Sequence, residues 1–300
     1  MQTIILETQA LDGQLLQATF LPEIGMNMSS FKKGEVEMID QSTRTLFEER
    51  CAGLGALIGP HFHRRRLQSI PFIKDESLFP HIARVKAKGI ADPFSHGIAR
   101  YAPWKVEATQ HEVKAVLSGK DVWKGIPLSE LEGQNFKMEF SALLNPNGLT
   151  LHLSIVSDTD SLVGIHYYYA LPNGKGRIIS RVQDTFRNQA SELKPLPADW
   201  NFTPQKQLIY DLSKEADFTF RPYPNPLEGK ILLETESYSL LTTYKCMCGE
   251  NAWQLYHPAN ASFVCIEPIS AQDPRHPNLT VSSLQIHLQP VEATYSIDIM

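Results

Sequence analysis

Apolar and polar side chains alternate with a period of two along much of this chain. Leu149, Leu151, Leu153 and Ile155 alternate with Thr150, His152 and Ser154; Leu284, Ile286 and Leu288 alternate with Gln285 and His287; Tyr295, Ile297 and Ile299 keep the same spacing. Successive residues of a strand point to opposite faces, so each stretch predicts a strand with one face in a core and one in solvent. Turn-forming clusters punctuate them: Asn145-Pro146-Asn147-Gly148, Pro172-Asn173-Gly174, Pro222-Tyr223-Pro224-Asn225-Pro226 and Asp273-Pro274-Arg275-His276-Pro277. Long helical periodicity is scarce. Many short strands between turns predict an all-β protein, a sandwich or a barrel. The patterning runs from Thr3 to Ile299 without a low-complexity linker or a solenoid or propeller repeat, so one domain over residues 1–300 is expected. The segment Ser191 to Pro204, with Pro195, Pro197 and Trp200, reads as a loop insertion and a candidate cover for a site.

Composition narrows the classes. The chain has 300 residues, 42% of them apolar, enough for a substantial core. No apolar run approaches the ~18 residues of a bilayer span, and the start, Met1 to Glu7, lacks the basic region and cleavage site of a signal peptide. The expected address is cytoplasmic, with no membrane partner, and the glycosylation-type triplets at Asn201, Asn260 and Asn278 are discounted accordingly. Cys51, Cys246, Cys248 and Cys265 show no framework spacing and are expected as reduced thiols. A formal charge of −5 and a pI near 6.1 disfavour nucleic acid. One basic cluster stands out, His63-Arg64-Arg65-Arg66, which suits either an anionic substrate or a solvated turn.

Three distant segments each carry a group suited to handling a proton or a hydroxyl. Glu267 follows the apolar run Ala261 to Ile266 and precedes Pro268, which is expected to end the strand there and leave the carboxylate where a core meets a cleft. Partial desolvation would raise its pKa toward the range of a general base; a structural salt bridge is the other reading. His166 lies in Gly164-Ile165-His166-Tyr167-Tyr168-Tyr169, where alternation puts His166 and Tyr168 on one face and Ile165, Tyr167 and Tyr169 on the other. A histidine among aromatics is commonly a core residue, yet aromatic faces and polar groups together also suit a sugar. His96 sits between Asp92-Pro93-Phe94 and Gly97, a loop composition that lets backbone approach a ligand, or simply a loop histidine capping carbonyls.

In order and surroundings, Ser95-His96-Gly97-Ile98-Ala99-Arg100, the His166 segment and Cys265-Ile266-Glu267-Pro268 resemble the His-Gly-Phe-Ala-Arg, His-Pro-Tyr-Phe and Glu-Pro motifs of the aldose 1-epimerase (galactose mutarotase-like) superfamily. Leu21 to Gly25 with Ser30 to Glu35 resembles its first hairpin, Gly59-Pro60 to Arg66 its arginine-bearing segment, and Ile286 to Glu292 its closing strand. Departures are Ile98 for phenylalanine, Tyr167 for the proline after histidine, Ser270-Ala271 for Thr-Gly, and His63-Arg64-Arg65-Arg66 for Asn-Arg-Ile. The resemblance implies a single-domain β-sandwich of the supersandwich type. It implies Glu267 as general base, His166 as general acid, His96 as a second polar group at the ring, and Arg64 as a sugar-binding guanidinium. Asp217 matches the family aspartate that contacts hydroxyls, with Asp211 as competitor, and Tyr168 would meet the sugar beside His166.

The implied reaction is mutarotation. One group removes the anomeric proton, another on the opposite side of the C1–O5 unit protonates the ring oxygen, the aldehyde rotates about C1–C2, and the ring recloses on its other face. No cofactor or metal is expected, since no phosphate-binding glycine loop or dinucleotide fingerprint occurs. A zinc site on His61-Phe62-His63 lacks identifiable third and fourth ligands. A glycosidase needs two carboxylates, of which only Glu267 has a suitable setting. Hexose-6-phosphate epimerases are relatives within the superfamily, and Arg64, Arg65, Arg66 and Arg100 suit their dianionic substrate. A carbohydrate-binding or regulatory protein without turnover is the alternative from another class. The oligomeric state is not legible.

Overall fold

The computed structural model describes residues 2–62, 70–247 and 251–291. Its strands form two antiparallel layers that share one long strand, Gly176–Arg187. Residues 176–180 of that strand pair with Glu228–Thr235, and residues 182–187 cross into the other layer to pair with Ala216–Pro222. The first layer continues through Ser239–Cys246, Leu279–Val291, Gly148–Ser161, Phe136–Asn145, Glu112–Ser118 and Lys105–Ala108. The second runs from Ala216–Pro222 through Ala252–His257, Phe263–Ile269, Gly164–Ala170, Gly55–Ile58 and Asn27–Lys33 to Leu15–Leu21 and Ile4–Gln9. The whole sheet curls nearly into a barrel, an all-β fold with helices at Arg44–Arg50, His81–Ala87 and Leu128–Glu132 among the described residues.

The period-two pattern decides the register. Leu149, Leu151 and Leu153 stand opposite Leu288, Ile286 and Leu284, and all six are buried. A one-residue slip of either strand would send its three to solvent, at about 1.5–3 kcal/mol each. The two layers meet in one apolar core, where Phe20 of one and Phe140 of the other stack edge to face with centroids 5.7 Å apart. The strand expected over Tyr295 to Ile299 lies outside the described residues, as do Arg64, Arg65, Arg66 and Cys248.

Two local expectations need correction. Pro268 does not end its strand, which runs on to Ile269 and pairs with a neighbour on each side. The ladder to Gly164–Ala170 has pairs at Gly164↔Ile269 and Tyr167↔Ile266 with none between, so the missing N–H of Pro268 falls in that interval. Glu267 therefore sits inside the sheet instead of at a strand exit. The segment from Ser191 to Pro204 is no simple lid either. It carries the short strands Leu193–Pro195 and Asn201–Phe202, and Trp200 anchors it on Phe186 and Phe218, with ring centroids 5.1 and 4.9 Å away.

Candidate active site

Four neighbouring strands of the second layer hold the site on one face, because period two sends every other side chain the same way. Tyr168, Cys265, Tyr256 and Asp217 form one cross-strand row, since Tyr168 pairs with Cys265, Cys265 with Tyr256 and Tyr256 with Asp217. The next row holds His166, Glu267, Gln254 and Thr219, with Glu267 paired to Gln254 and Gln254 to Thr219. The intervening residues, Ile165, Tyr167, Trp253, Leu255, Val264 and Ile266, are buried in the core on the other face. That buried face fixes the strands and so fixes the grid.

Above the grid lies a cavity of about 290 Å³. His166, Tyr168, Asp217, Thr219, Gln254 and Tyr256 form its floor, and Arg50 at the end of its helix, with His96, Arg100, Gln189, Ser191 and Arg275, forms its walls. The rings of His166 and Tyr168 stack with centroids 4.9 Å apart, and His96 meets His166 edge to face at 5.4 Å. His96 reaches this position through a turn that only a special backbone allows. His96 has φ 69° and Gly97 has φ 91°, and a Cβ on Gly97 would lie 1.9 Å from the Gly59 carbonyl oxygen. Gly59 donates to the His96 carbonyl and Ala99 donates to that of Gly59, each at 3.0 Å.

Glu267 lies in the floor without lining the cavity. Its side chain has no exposed surface, and Nε2 of His166 is 3.3 Å from one of its oxygens. Neither carboxylate oxygen accepts a hydrogen bond from a described residue. Burial pushes its pKa well above the usual carboxylate range, Arg100 pulls the other way, and Asp217 adds to the rise. Arg100 is itself buried. Its Nε donates to the Leu57 carbonyl at 3.3 Å, and one terminal nitrogen has no hydrogen-bond partner among the described residues. Asp217 accepts from Gln254 at 3.0 Å, and burial raises its pKa against the pull of Arg275 and a hydrogen bond from Gln189.

Of the residues singled out in the sequence, His96, His166, Arg100, Tyr168 and Asp217 line one cavity and Glu267 contacts His166 beneath it. Asp211 is exposed, caps the Ser213 N–H and takes no part. Arg50, Gln254, Tyr256, Gln189 and Arg275 line the cavity without having been singled out. Arg275 had one signal, its place in the proline-bounded turn Asp273 to Pro277; the others stand in sequence contexts that carry none. Both nitrogens of His61 are engaged by carboxylates, Glu132 at 2.5 Å and Asp92 at 2.7 Å, so the zinc reading of that segment has lost its first ligand. His166, Cys265 and Glu267 offer ligand atoms within 4.8 Å of one another, and all three are buried.

No family model matches the sequence, and a search of curated proteins returns no match. Solved structures do match over nearly the full length. A galactose mutarotase-like protein from Lactobacillus casei superposes with a TM-score of 0.67 at 11% identity, over 97% of this chain and 100% of that one. A GalM/aldose epimerase homologue from C. elegans gives 0.66 at 14% identity, over 98% and 100%. The Slr1438 protein from Synechocystis sp. PCC 6803 gives 0.66 at 16% identity, over 96% and 95%. At such identities the likeness speaks for architecture, and the chain has the fold of the galactose mutarotase-like proteins.

Proposed function

We propose that the protein is an aldose 1-epimerase that interconverts the α and β anomers of a hexose or a hexose 6-phosphate. The observation that carries this reading is the contact of His166 with the buried carboxylate of Glu267 beneath a polar, monosaccharide-sized cavity. In the reactive form Glu267 takes the proton of the anomeric hydroxyl while His166 gives one to the ring oxygen. The C1–O5 bond breaks, the aldehyde turns about C1–C2, and reclosure returns both protons in the opposite sense. The two oxygens of a hemiacetal share one carbon, so two neighbouring proton carriers can serve both. Asp217, Gln254 and His96 are placed to meet ring hydroxyls, and Tyr168 and Tyr256 to cover the C–H face of the ring.

Substrate charge follows from the loops. Arg50, Arg100 and Arg275 border the cavity, with Asp217 the one carboxylate in its lining among the described residues. This balance supports a phosphorylated sugar, since guanidiniums bind phosphate oxygens through charge-assisted hydrogen bonds. Cytoplasmic residence and a reaction without cofactor or metal belong to the same proposal. No helix among the described residues is long and apolar enough to cross a membrane.

A second reading, a sugar-binding protein without turnover, is favoured by one observation. Glu267 has no exposed surface, so a sugar must open a way to it. Freshly dissolved α- and β-hexoses, with and without a 6-phosphate, followed by polarimetry or NMR, separate the two. Equilibration faster than the buffer rate supports the epimerase, and binding without acceleration supports the alternative.

A further inference from the structure

Beside the cavity, three ionisable groups far apart in sequence meet in the interior. The Nδ1 of His61 is 2.5 Å from one oxygen of Glu132, and its Nε2 is 2.7 Å from one oxygen of Asp92. Glu132 has no exposed surface, and the His61 and Asp92 side chains are 9% and 13% exposed. The remaining oxygens of both carboxylates are also used, and their partners share a pattern. Asp92 accepts the Phe94 N–H at 3.0 Å, and Glu132 accepts the Ile98 N–H at 2.9 Å. Phe94 and Ile98 stand two residues before and two residues after His96.

We propose that the Asp92–His61–Glu132 cluster is a positioning device for His96, with His61 held as an imidazolium that donates one N–H to each carboxylate. A neutral imidazole has a single N–H and can satisfy one of the two acceptors; the imidazolium has two. A carboxylate with no exposed surface is costly unless it is paired, and that of Glu132 is paired with Nδ1 of His61. The clamp grips the backbone on both sides of a residue in the left-handed region, where a non-glycine residue is strained and persists only when its surroundings over-determine it. Phe62, next to His61, adds a ring contact to His96 with centroids 4.4 Å apart. The strain is thus held on the one turn that brings the His96 ring to 5.4 Å from that of His166. His61 acts on the site through the backbone and ring of His96.

The catalytic part of this inference rests on the epimerase reading, so its test needs one measurement that turnover does not enter. In His61→Gln the side chain keeps a single donor side and the clamp loses one anchor. The imidazole signals of His96, assigned by comparison with His96→Gln, should shift or broaden in the NMR spectrum of His61→Gln. In folded protein kcat should fall roughly ten- to a hundred-fold with KM nearly unchanged, the signature of misplacement by about an ångström. The double variant His61→Gln/His96→Gln should be no slower than His96→Gln alone, because the first change acts through the second. Unchanged His96 signals, or a double variant that loses the product of both single effects, would overturn the proposal. Should His61→Gln fail to fold, Asp92→Asn removes one charge of the same clamp and is held to the same readouts. If the wild type accelerates no anomer, the epimerase reading falls, and the His96 signals still decide whether the cluster sets that ring.

Discussion

Nε2 of His166 lies 3.3 Å from the carboxylate of Glu267, whose two oxygens accept no hydrogen bond from any described residue. A fully buried carboxylate without a donor is costly to keep charged, and folds retain such a group where a ligand completes it. A sugar hydroxyl over this part of the floor would be that donor. On the proposed function, the electrostatic cost of this buried carboxyl is tied to its use on a sugar.

Glu267→Gln keeps the shape of the side chain and removes its ability to take a proton. Anomer interconversion should fall roughly a hundred- to ten-thousand-fold, while sugar affinity measured by calorimetry changes little. A variant that equilibrates anomers at the wild-type rate would remove Glu267 from the mechanism.

The same residue ties stability to pH. The unfolded chain releases this proton near the ordinary value of 4.5, whereas burial makes the folded protein hold it to higher pH. Above 4.5 the folded state thus binds more protons than the unfolded one, and stability should decline as pH rises until the folded carboxyl itself ionises. Urea midpoints measured over that range should slope less steeply downward in Glu267→Gln. Parallel curves for the two proteins would contradict it.

His81 makes the opposite contribution on the acid side. Its ring stacks on Tyr101 at 4.6 Å, and burial lowers its pKa from 6.5 to about 4 against the hydrogen bond with the Pro93 carbonyl. Between those values the unfolded chain takes up a proton that the folded chain does not, so stability is lost as pH falls through the interval. Replacing His81 by Gln should flatten this acid limb, and an NMR titration of the wild type should show the ring still neutral through most of it.

Substrate charge is decided at the rim. Arg275→Ala should raise KM for a hexose 6-phosphate about tenfold or more, the loss of one charge-assisted hydrogen bond of ~1.5 kcal/mol, and leave a free hexose nearly unaffected. Added salt should weaken phosphate-sugar binding in the wild type and do so less in the variant. Equal kinetics on both sugars in the wild type, indifferent to sulfate, would remove the anion from the proposal.

Much of the fold was legible because burial on one face leaves a period of two, as in Leu149 to Ile155 against Leu284 to Leu288. The pairing of His166 with Tyr168 on one face followed from the same rule. What alternation could not say is which strands become neighbours. Gln254 and Tyr256 share the floor with His166 only because their strand lies next but one to it, a long-range fact with no local trace. Arg50 reaches the cavity from a helix end and Arg275 from a turn, and the placement of both depends on packing. The strand end expected at Pro268 was misjudged because proline forbids only the hydrogen bond of its own nitrogen, and the ladder already lapses at that point.

The groups proposed to move protons and the groups proposed to choose the substrate occupy parts of the molecule with unequal freedom to change. His166 and Glu267 belong to strands whose alternate residues are locked in the core, so a shift there disturbs dozens of packed atoms at once. Arg50 ends a seven-residue helix and Arg275 sits in a turn, where replacement disturbs little beyond itself. On the proposed function, descendants of this chain could exchange one sugar for another by editing the rim while inheriting the floor beneath intact.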